Sequence, residues 1–523
     1  MLSTKNKLSR YVLLFSTLVF SLFALHSRPA PHYAHLSLIN PDQVQIDYLW
    51  QADINKTICQ EKLNLLDEVV MANCPNCKLV EQNCLAKLSD FQKQSLSSDW
   101  LDLPSTRLSN GTITYQSSNP QLALQACQNA QVLQLGYNHQ PACTPSQTLH
   151  LIHSSNTQDY WATLAESALL LLICSLASWF ICYLILRYEH LHQHFSHDSN
   201  FGIQKFHAQA TPRIGGIALF VSLLILLAVE IIHQPITMPN SVAMTFFILS
   251  ASPVFFGGLI EDVTKNVGVA QRLLFSMLSA LIAITLLGAV IDRTEISQLD
   301  NVLIWTPVAV AFTVLGITGV CNAMNIIDGY NGLSAGYASL ALATLSCVAF
   351  QVNDHLVFTL SLGLLGGLLG FVCWNWPHGK LFMGDGGAYL LGFSLAELAI
   401  MLIYRNPTVS PWFTAIILAY PIFETLFSMV RRKFINKTKT GQPDAGHLHQ
   451  LVFLKILHGH HYSDASQTTH ANSRVAFYIL GPALLVSLVA TVFWQSTAIL
   501  LPLTLIGCGV YVLVYYKLLS MPD

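Results

Sequence analysis

Three polar residues stand at intervals of three inside an apolar run: Asn322, Asn325 and Asp328. On a helix that spacing keeps all three near one face. The result is an oxygen-rich stripe, and oxygen ligands suit a hard cation such as Mg2+. Gly329 and Gly332 then let the chain turn. A helix cap would explain Asp328 alone, but not the set. Asp385 sits among Gly384, Gly386 and Gly387, five residues after Lys380. This suits a metal ligand facing a phosphate, with backbone N–H groups exposed nearby. The bland alternative is a flexible turn capping a helix that starts near Ala388. Glu261 and Asp262 close another apolar run, where acids are costly unless paired or bound to a cation. They could hold Mg2+, or one could accept a proton. Equally, they could form a solvated helix end in which Lys265 neutralises Glu261 at i, i+4.

Two further segments say less by themselves. Arg213, before Gly215 and Gly216, could bind a phosphate while the glycines allow close backbone approach. It could as well be a basic residue at a span end. His447 and His449 form a His-x-His pair that could meet a metal, a phosphate or a substrate. With 20 histidines in the chain, a solvated or interfacial role competes with that reading. Glu397 and Glu424 fall within apolar runs and are expected to face other helices and find polar partners there.

The elements that position these residues are membrane helices. Charged residues make up only 10% of the 523-residue chain, against about 25% in soluble proteins. The formal net charge of -2 excludes a generally basic nucleic-acid binder. From Trp161 onward the chain consists of apolar runs long enough to span a bilayer. Spans are predicted near 162–186, 214–232, 242–260, 273–291, 302–320, 334–351, 356–376, 388–404, 411–430, 475–494 and 497–516. Alternation then places Arg187, Arg213, Lys265, Arg272, Lys380, Arg431 and their basic neighbours on one side, with only Arg293 and Arg405 on the other. The positive-inside rule makes the first side cytoplasmic, together with every motif above and the C-terminus.

Residues 1–26 read as an uncleaved anchor with Lys5, Lys7 and Arg10 at its cytoplasmic end, although a cleaved signal is the alternative. Residues 27–160 are polar and lack a span, so the anchor would place them outside the cytoplasm. They hold Cys59, Cys74, Cys77, Cys84, Cys127 and Cys143, an even set that suggests disulfides in an oxidising compartment. Cys74 and Cys77 could instead form a redox pair or half of a zinc site. Residues 161–523 form the third region, a multi-span domain. The fold class expected is an all-α polytopic membrane protein of about eleven core helices, with an anchor and an added extracytoplasmic domain.

Taken together and in order, the five segments resemble the polyprenyl-phosphate N-acetylhexosamine-1-phosphate transferases over about residues 160–520. That family starts O-antigen and related envelope polymers, and it includes the phospho-N-acetylmuramoyl-pentapeptide translocases. The resemblance implies helices around a cytoplasm-facing cleft in a bacterial inner membrane. It also implies transfer of a sugar-1-phosphate from a UDP-N-acetylhexosamine to undecaprenyl phosphate, with Mg2+ (Mn2+ could replace it) as cofactor. It puts catalytic roles on Asp262, Glu261, Asp328, His447 and His449, and substrate contacts on Arg213, Lys265, Asn322 and Lys380. Asn325, Asp328 and Asp385 would hold the metal. A homodimer is compatible with the resemblance; nucleic acid is not a partner. Glu261, Ala445 and Gln450 depart from the family pattern. These departures keep open a catalytically silent scaffold, and many spans with intramembrane polar groups keep open a transporter.

Overall fold

The computed structural model describes residues 32–39, 45–52, 78–85, 105–108, 111–116, 157–197, 211–233, 239–435, 446–457 and 465–522. They divide into two compact units, one within 24–162 and one within 163–523. The expected anchor lies outside the described residues, as do Ala445 and all the cysteines of 27–160 except Cys84.

The smaller unit contains a five-stranded antiparallel sheet. Its strands are β1 (His32–Ile39), β2 (Gln45–Ala52), β3 (Lys78–Leu85), β4 (Ser105–Leu108) and β5 (Gly111–Gln116), in the order β3-β1-β2-β5-β4. β1 and β2 pair along their full length, His32 opposite Ala52 and Ile39 opposite Gln45. The all-α expectation therefore applies to the membrane unit. The sheet belongs to the added region, whose fold the sequence reading left open.

The larger unit is helical. Its elements are α1 (Thr157–Arg187), α2 (Glu189–Ser196), α3 (Gly216–His233), α4 (Pro239–Thr264), α5 (Val269–Leu287), α6 (Ser297–Leu303), α7 (Thr306–Ile327), α8 (Leu333–Gln351), α9 (His355–Asn375), α10 (Gly384–Arg405), α11 (Pro411–Ile417), α12 (Ala419–Val430), α13 (Leu448–Leu451), α14 (Ala465–Val492) and α15 (Thr497–Leu519). Among the described residues nine of these are long and apolar enough to cross a membrane. The run expected as one span over 411–430 is a broken pair, bent by 70° between α11 and the following helix. The remaining expected span is the shorter apolar helix Gly216–Ile232. This is a multi-pass membrane protein.

α10 is the axis of the unit. Every residue from Gly384 to Ile403 is buried, so its sides meet other helices rather than lipid. Peripheral helices read the opposite way: α15 and α5 expose Leu505, Leu513, Leu274 and Leu281. Apolar outward faces are what a lipid-facing helix needs, since hydrocarbon is its solvent.

The two ends of α10 are held by different chemistry. At its C-terminal end Arg293 Nη2 donates to the carbonyls of Ile403, Asn406 and Val409, at 3.0, 3.3 and 2.7 Å. Arg405 Nε and Asn406 Nδ2 both donate to Asp354, at 2.8 and 2.9 Å. The two basic residues expected on the outer side are thus spent on closing one end of the bundle. At the other end, glycines let backbones touch. Gly384 has φ 74°, and a Cβ there would land on the Arg213 carbonyl and 2.5 Å from Asp262 Oδ2. A Cβ on Gly258 would lie 2.6 Å from the Gly386 nitrogen.

Glu397 and Glu424 part company. Glu424 binds the His447 ring, as described below, whereas both Glu397 oxygens are buried without a hydrogen-bond partner among the described residues.

These contacts predict a contrast between two glycines. Gly384→Ala forces a left-handed backbone on alanine and drives its methyl into the Arg213–Asp262 contact. It should cost about 3 kcal/mol or more, read as a lower melting temperature in detergent. Gly319→Ala on α7 meets nothing within 4 Å. It should be neutral or slightly stabilising, because alanine favours helix by about 1 kcal/mol.

Candidate active site

The site is built where α3, α4, α5, α7 and α10 meet at one end. Gly215 N and Gly216 N donate to the carbonyls of Phe382 and Met383 at 2.9 and 2.8 Å. The glycine pair therefore does permit close approach, and what approaches is the segment leading into α10. This carries Arg213, just before α3, to the mouth of α10.

Asp262, at the C-terminal end of α4, is 1% exposed. Its Oδ1 accepts from the Asp385 N–H at 2.8 Å and its Oδ2 from the Gly386 N–H at 2.9 Å. A helix N-terminus presents unsatisfied N–H groups and partial positive charge, and here a carboxylate from a second helix supplies the cap. The backbone donors expected to lie open beside Asp385 are therefore occupied. Asp262 holds the turn that aims Asp385.

Asp385 lies between two guanidinium groups. Arg213 Nη2 reaches its Oδ1 at 3.0 Å and Arg272 Nη1 its Oδ2 at 2.8 Å. Asn325 Nδ2 also donates to Oδ1, at 3.1 Å. Arg213 stands 3.5 Å from Asp262 as well. The expected stripe on α7 divides by function. Asn325 meets Asp385, Asn322 turns back to the Thr318 carbonyl at 2.8 Å, and Asp328 forms the C-cap of α7.

Asp328 is held well above the usual carboxylate range. Removal from water is the main cause; the Arg213 charge opposes it, Asp385 and Asp262 reinforce it, and a Ser334 contact opposes it. The charges of Asp262 and Asp385 thus reach Asp328, which places the three carboxyls in one field. With the charge of Asp328 disfavoured, Asp262 and Asp385 stand against the two guanidinium groups.

Other expected members lie at the margin of this cluster, where the Glu261 charge still acts on Arg272. Glu261 Oε2 accepts from the Val267 N–H at 2.7 Å, so it braces the α4–α5 connection. Lys265 sits in that connection, exposed and with φ 58°. Lys380 is exposed over the Trp374 ring, 5.9 Å from its centroid.

His447 and His449 are organised from α12. Tyr420 and Glu424 lie one turn apart on that helix and therefore on one face. His447 Nδ1 is 2.9 Å from Glu424 Oε1, and the Leu448 N–H donates to Glu424 Oε2 at 3.2 Å. His449 Nδ1 is 3.1 Å from the Tyr420 hydroxyl. The two rings are parallel to within 2°, with centroids 5.4 Å apart. Both rings thus turn Nδ1 toward α12. Gln450, a departure from the family pattern, has work of its own: its Oε1 accepts from the His447 N–H at 3.0 Å. Tyr330, two residues past Asp328, packs its ring edge on His449, 5.6 Å between centroids. That contact links the histidines to the Asp328 turn.

Sequence reasoning missed Arg272 and Glu424 as members of the site. Arg272 was legible only as a basic residue at a span end. Glu424 was legible as a buried acid, without its partner.

The donor chemistry fits a hard cation. Among the described residues no group of three or more His, Cys, Asp or Glu is arranged as a protein-only metal cage. Mg2+ does not require one, since it is usually bound through one or two carboxylates plus substrate phosphates. Asp328, whose charge is disfavoured here, and Asp385, whose Oδ2 accepts from Arg272 and keeps a second lone pair, meet that requirement.

With this geometry in view, residues 244–403 match the glycosyl transferase family 4 description. That segment carries Asp262, Arg272, Asn325, Asp328 and Asp385. The chain is 29% identical over 279 residues to a probable undecaprenyl-phosphate N-acetylglucosaminyl 1-phosphate transferase of Bacillus subtilis, covering 53% of this chain and 72% of that one. It is 28% identical over 257 residues to the undecaprenyl-phosphate alpha-N-acetylglucosaminyl 1-phosphate transferase of Thermotoga maritima, covering 48% and 72%. It is 26% identical over 298 residues to a phospho-N-acetylmuramoyl-pentapeptide-transferase of Lactobacillus johnsonii, covering 54% and 85%. The family description and these relatives support the resemblance to the polyprenyl-phosphate sugar-1-phosphate transferases that the motif order implied.

Burial sets a pH dependence outside the spans. The His449 imidazole is pushed down to about 4 by desolvation, against the Glu424 carboxylate and with the neighbouring His447. Unfolded histidine takes up its proton near pH 6.5. The unfolded chain therefore binds more protons between about pH 6.5 and 4, and stability should fall as pH falls through that window. The melting temperature of wild type should drop across it, and that of His449→Gln should drop less. Equal slopes would exclude a buried neutral His449.

Proposed function

We propose that this chain transfers the sugar-1-phosphate of a UDP-N-acetylhexosamine onto undecaprenyl phosphate, releasing UMP, as the first membrane step of a cell-envelope polysaccharide such as O-antigen. N-acetylglucosamine is the donor sugar favoured by the names of the relatives. The observation that carries the reading is the convergence of Arg213, Asp262, Arg272, Asn325, Asp328 and Asp385 at one end of an apolar bundle. A lipid phosphate can reach such a place while its isoprenoid tail stays in hydrocarbon, and a soluble nucleotide can reach it from water. The basic residues of the span ends support a cytoplasmic position for this end, in a bacterial inner membrane. Residues 27–160 would then be periplasmic.

In the reaction an oxygen of the carrier phosphate attacks the β-phosphorus of the donor. The bond from that phosphorus to the bridging oxygen breaks, UMP leaves with the bridging oxygen, and the lipid keeps a sugar diphosphate. Both reactants are anions, so positioning and charge neutralisation dominate. Arg213 and Arg272 would offset phosphate charge. Asp262 would keep Asp385 in place; the carrier phosphate is largely ionised at neutral pH and needs no strong base. Asp328, Asp385 and the amide oxygen of Asn325 would hold Mg2+, which Mn2+ could replace. When bound, the cation would neutralise the donor diphosphate. His447 and His449 would meet the donor, each with its Nε2 turned away from α12. Glu424 would be the positioning residue for His447.

The test uses purified full-length protein, undecaprenyl phosphate, Mg2+ and a panel of UDP-N-acetylhexosamines, with UMP release as readout. Release should require lipid and metal, and Asp328→Asn should lower it by about 1000-fold. Glu424→Gln should lower kcat/KM for the donor about 10- to 100-fold, since it frees the ring that would meet the donor. No release from folded protein with any donor would refute the proposal.

A further inference from the structure

The site contains a competition that the transfer reaction alone does not require. Asp385 is the acid on which the charged groups of the site converge, and both its oxygens are bonded to guanidinium groups, at 3.0 and 2.8 Å. The carboxylate is 8% exposed, whereas the side chains of Arg213 and Arg272 are 24% and 23% exposed. The arginines therefore stand on the open side and the acid behind them. An incoming diphosphate meets guanidinium first.

The two arginines are not equivalent. Arg213 also faces Asp262, and its backbone is fixed by a hydrogen bond from its N–H to the Ser196 carbonyl at 2.9 Å. Arg272 sits one turn into α5, and among the described residues Asp385 is the one side chain its guanidinium bonds. Its Nε is buried with no hydrogen-bond partner. A buried unpaired donor is costly, and an anion that accepted from it would relieve that cost. Phosphate oxygens are well suited, because the guanidinium fork can bond them in pairs.

A cation and Arg272 cannot both take full advantage of one carboxylate, because like charges repel. Anything that draws Arg272 off Asp385 must therefore favour cation binding. By linkage, a cation that displaces Arg272 must favour a diphosphate by the same factor. We propose that Arg272 is a charge place-holder: it neutralises Asp385 in the nucleotide-free protein and passes to the donor diphosphate, so that the divalent cation and the nucleotide bind cooperatively. This rests on the assignment of Asp385 to the cation and of a UDP-sugar to the site.

The test measures Mn2+ bound to full-length protein in nanodiscs by electron paramagnetic resonance, with and without UDP, and with Mn2+–UDP in buffer subtracted. Wild type should bind Mn2+ weakly alone and about 10-fold more tightly with UDP. Arg272→Gln should bind Mn2+ alone at least about 5-fold more tightly than wild type, and the UDP enhancement should shrink toward 1. Arg272→Lys, which keeps the charge, should stay near wild type without UDP. Asp385→Asn should lose Mn2+ in both conditions. Unchanged or weaker Mn2+ binding by folded Arg272→Gln would overturn the proposal. Should that variant not fold, wild-type Mn2+ affinity that ignores UDP overturns it equally. UMP release on the same wild-type preparation separates the two ideas. Coupling without release sinks the transferase reading and leaves the exchange standing; release without coupling does the reverse.

Discussion

Two carboxylates held next to each other inside an apolar helix bundle are the constraint around which the rest is arranged. Asp262 and Asp385 are almost fully buried, and the Asp385 N–H is bonded to Asp262. Taking such charges out of water costs several kcal/mol each unless the surroundings compensate. Compensation comes from the first N–H groups of α10 and from Arg213 and Arg272. Each source places a demand on the fold. The helix start needs Gly384 at φ 74°, Arg213 needs the close approach of α3 to the 382–383 segment, and Arg272 needs α5 to begin beside α4.

The remainder of the membrane unit serves to keep that end rigid. α10 is enclosed along its length, so the turn that carries Asp385 cannot drift without disturbing the helices around it. Its far end is closed by Arg293 and by the Arg405–Asp354 pair. The bend between α11 and α12 sets the direction of α12 and hence of Tyr420 and Glu424. Those two side chains orient the histidine pair, and Tyr330 joins that pair to the Asp328 turn.

Much of this was legible in the sequence, for a physical reason. Acids and amides at helical spacing inside apolar runs are costly, and so Asp262, Asn325, Asp328 and Asp385 stand out. Arg272 did not, because a basic residue at a span end is what topology alone would place there. Glu261 looked like the twin of Asp262, but neighbours on a helix point about 100° apart. One faces the α10 start and the other the α4–α5 connection. Hydropathy also hides polar helical turns: α14 begins at Ala465, ten residues before the apolar run. It hides the break near Leu418 as well, since both sides of the bend are apolar. The sheet of the smaller unit was left open because its sequence was read for spans and cysteines and not for strand alternation.

The central claim is that the Asp385 end of α10 is where the donor diphosphate meets the chain. The most direct measurement is a cryo-EM structure with UDP and Mn2+ bound. The account predicts the diphosphate against Arg213 and Arg272, with Arg272 no longer within hydrogen-bonding distance of Asp385. A nucleotide bound elsewhere, with the Arg213–Asp385–Arg272 arrangement unchanged, would contradict it.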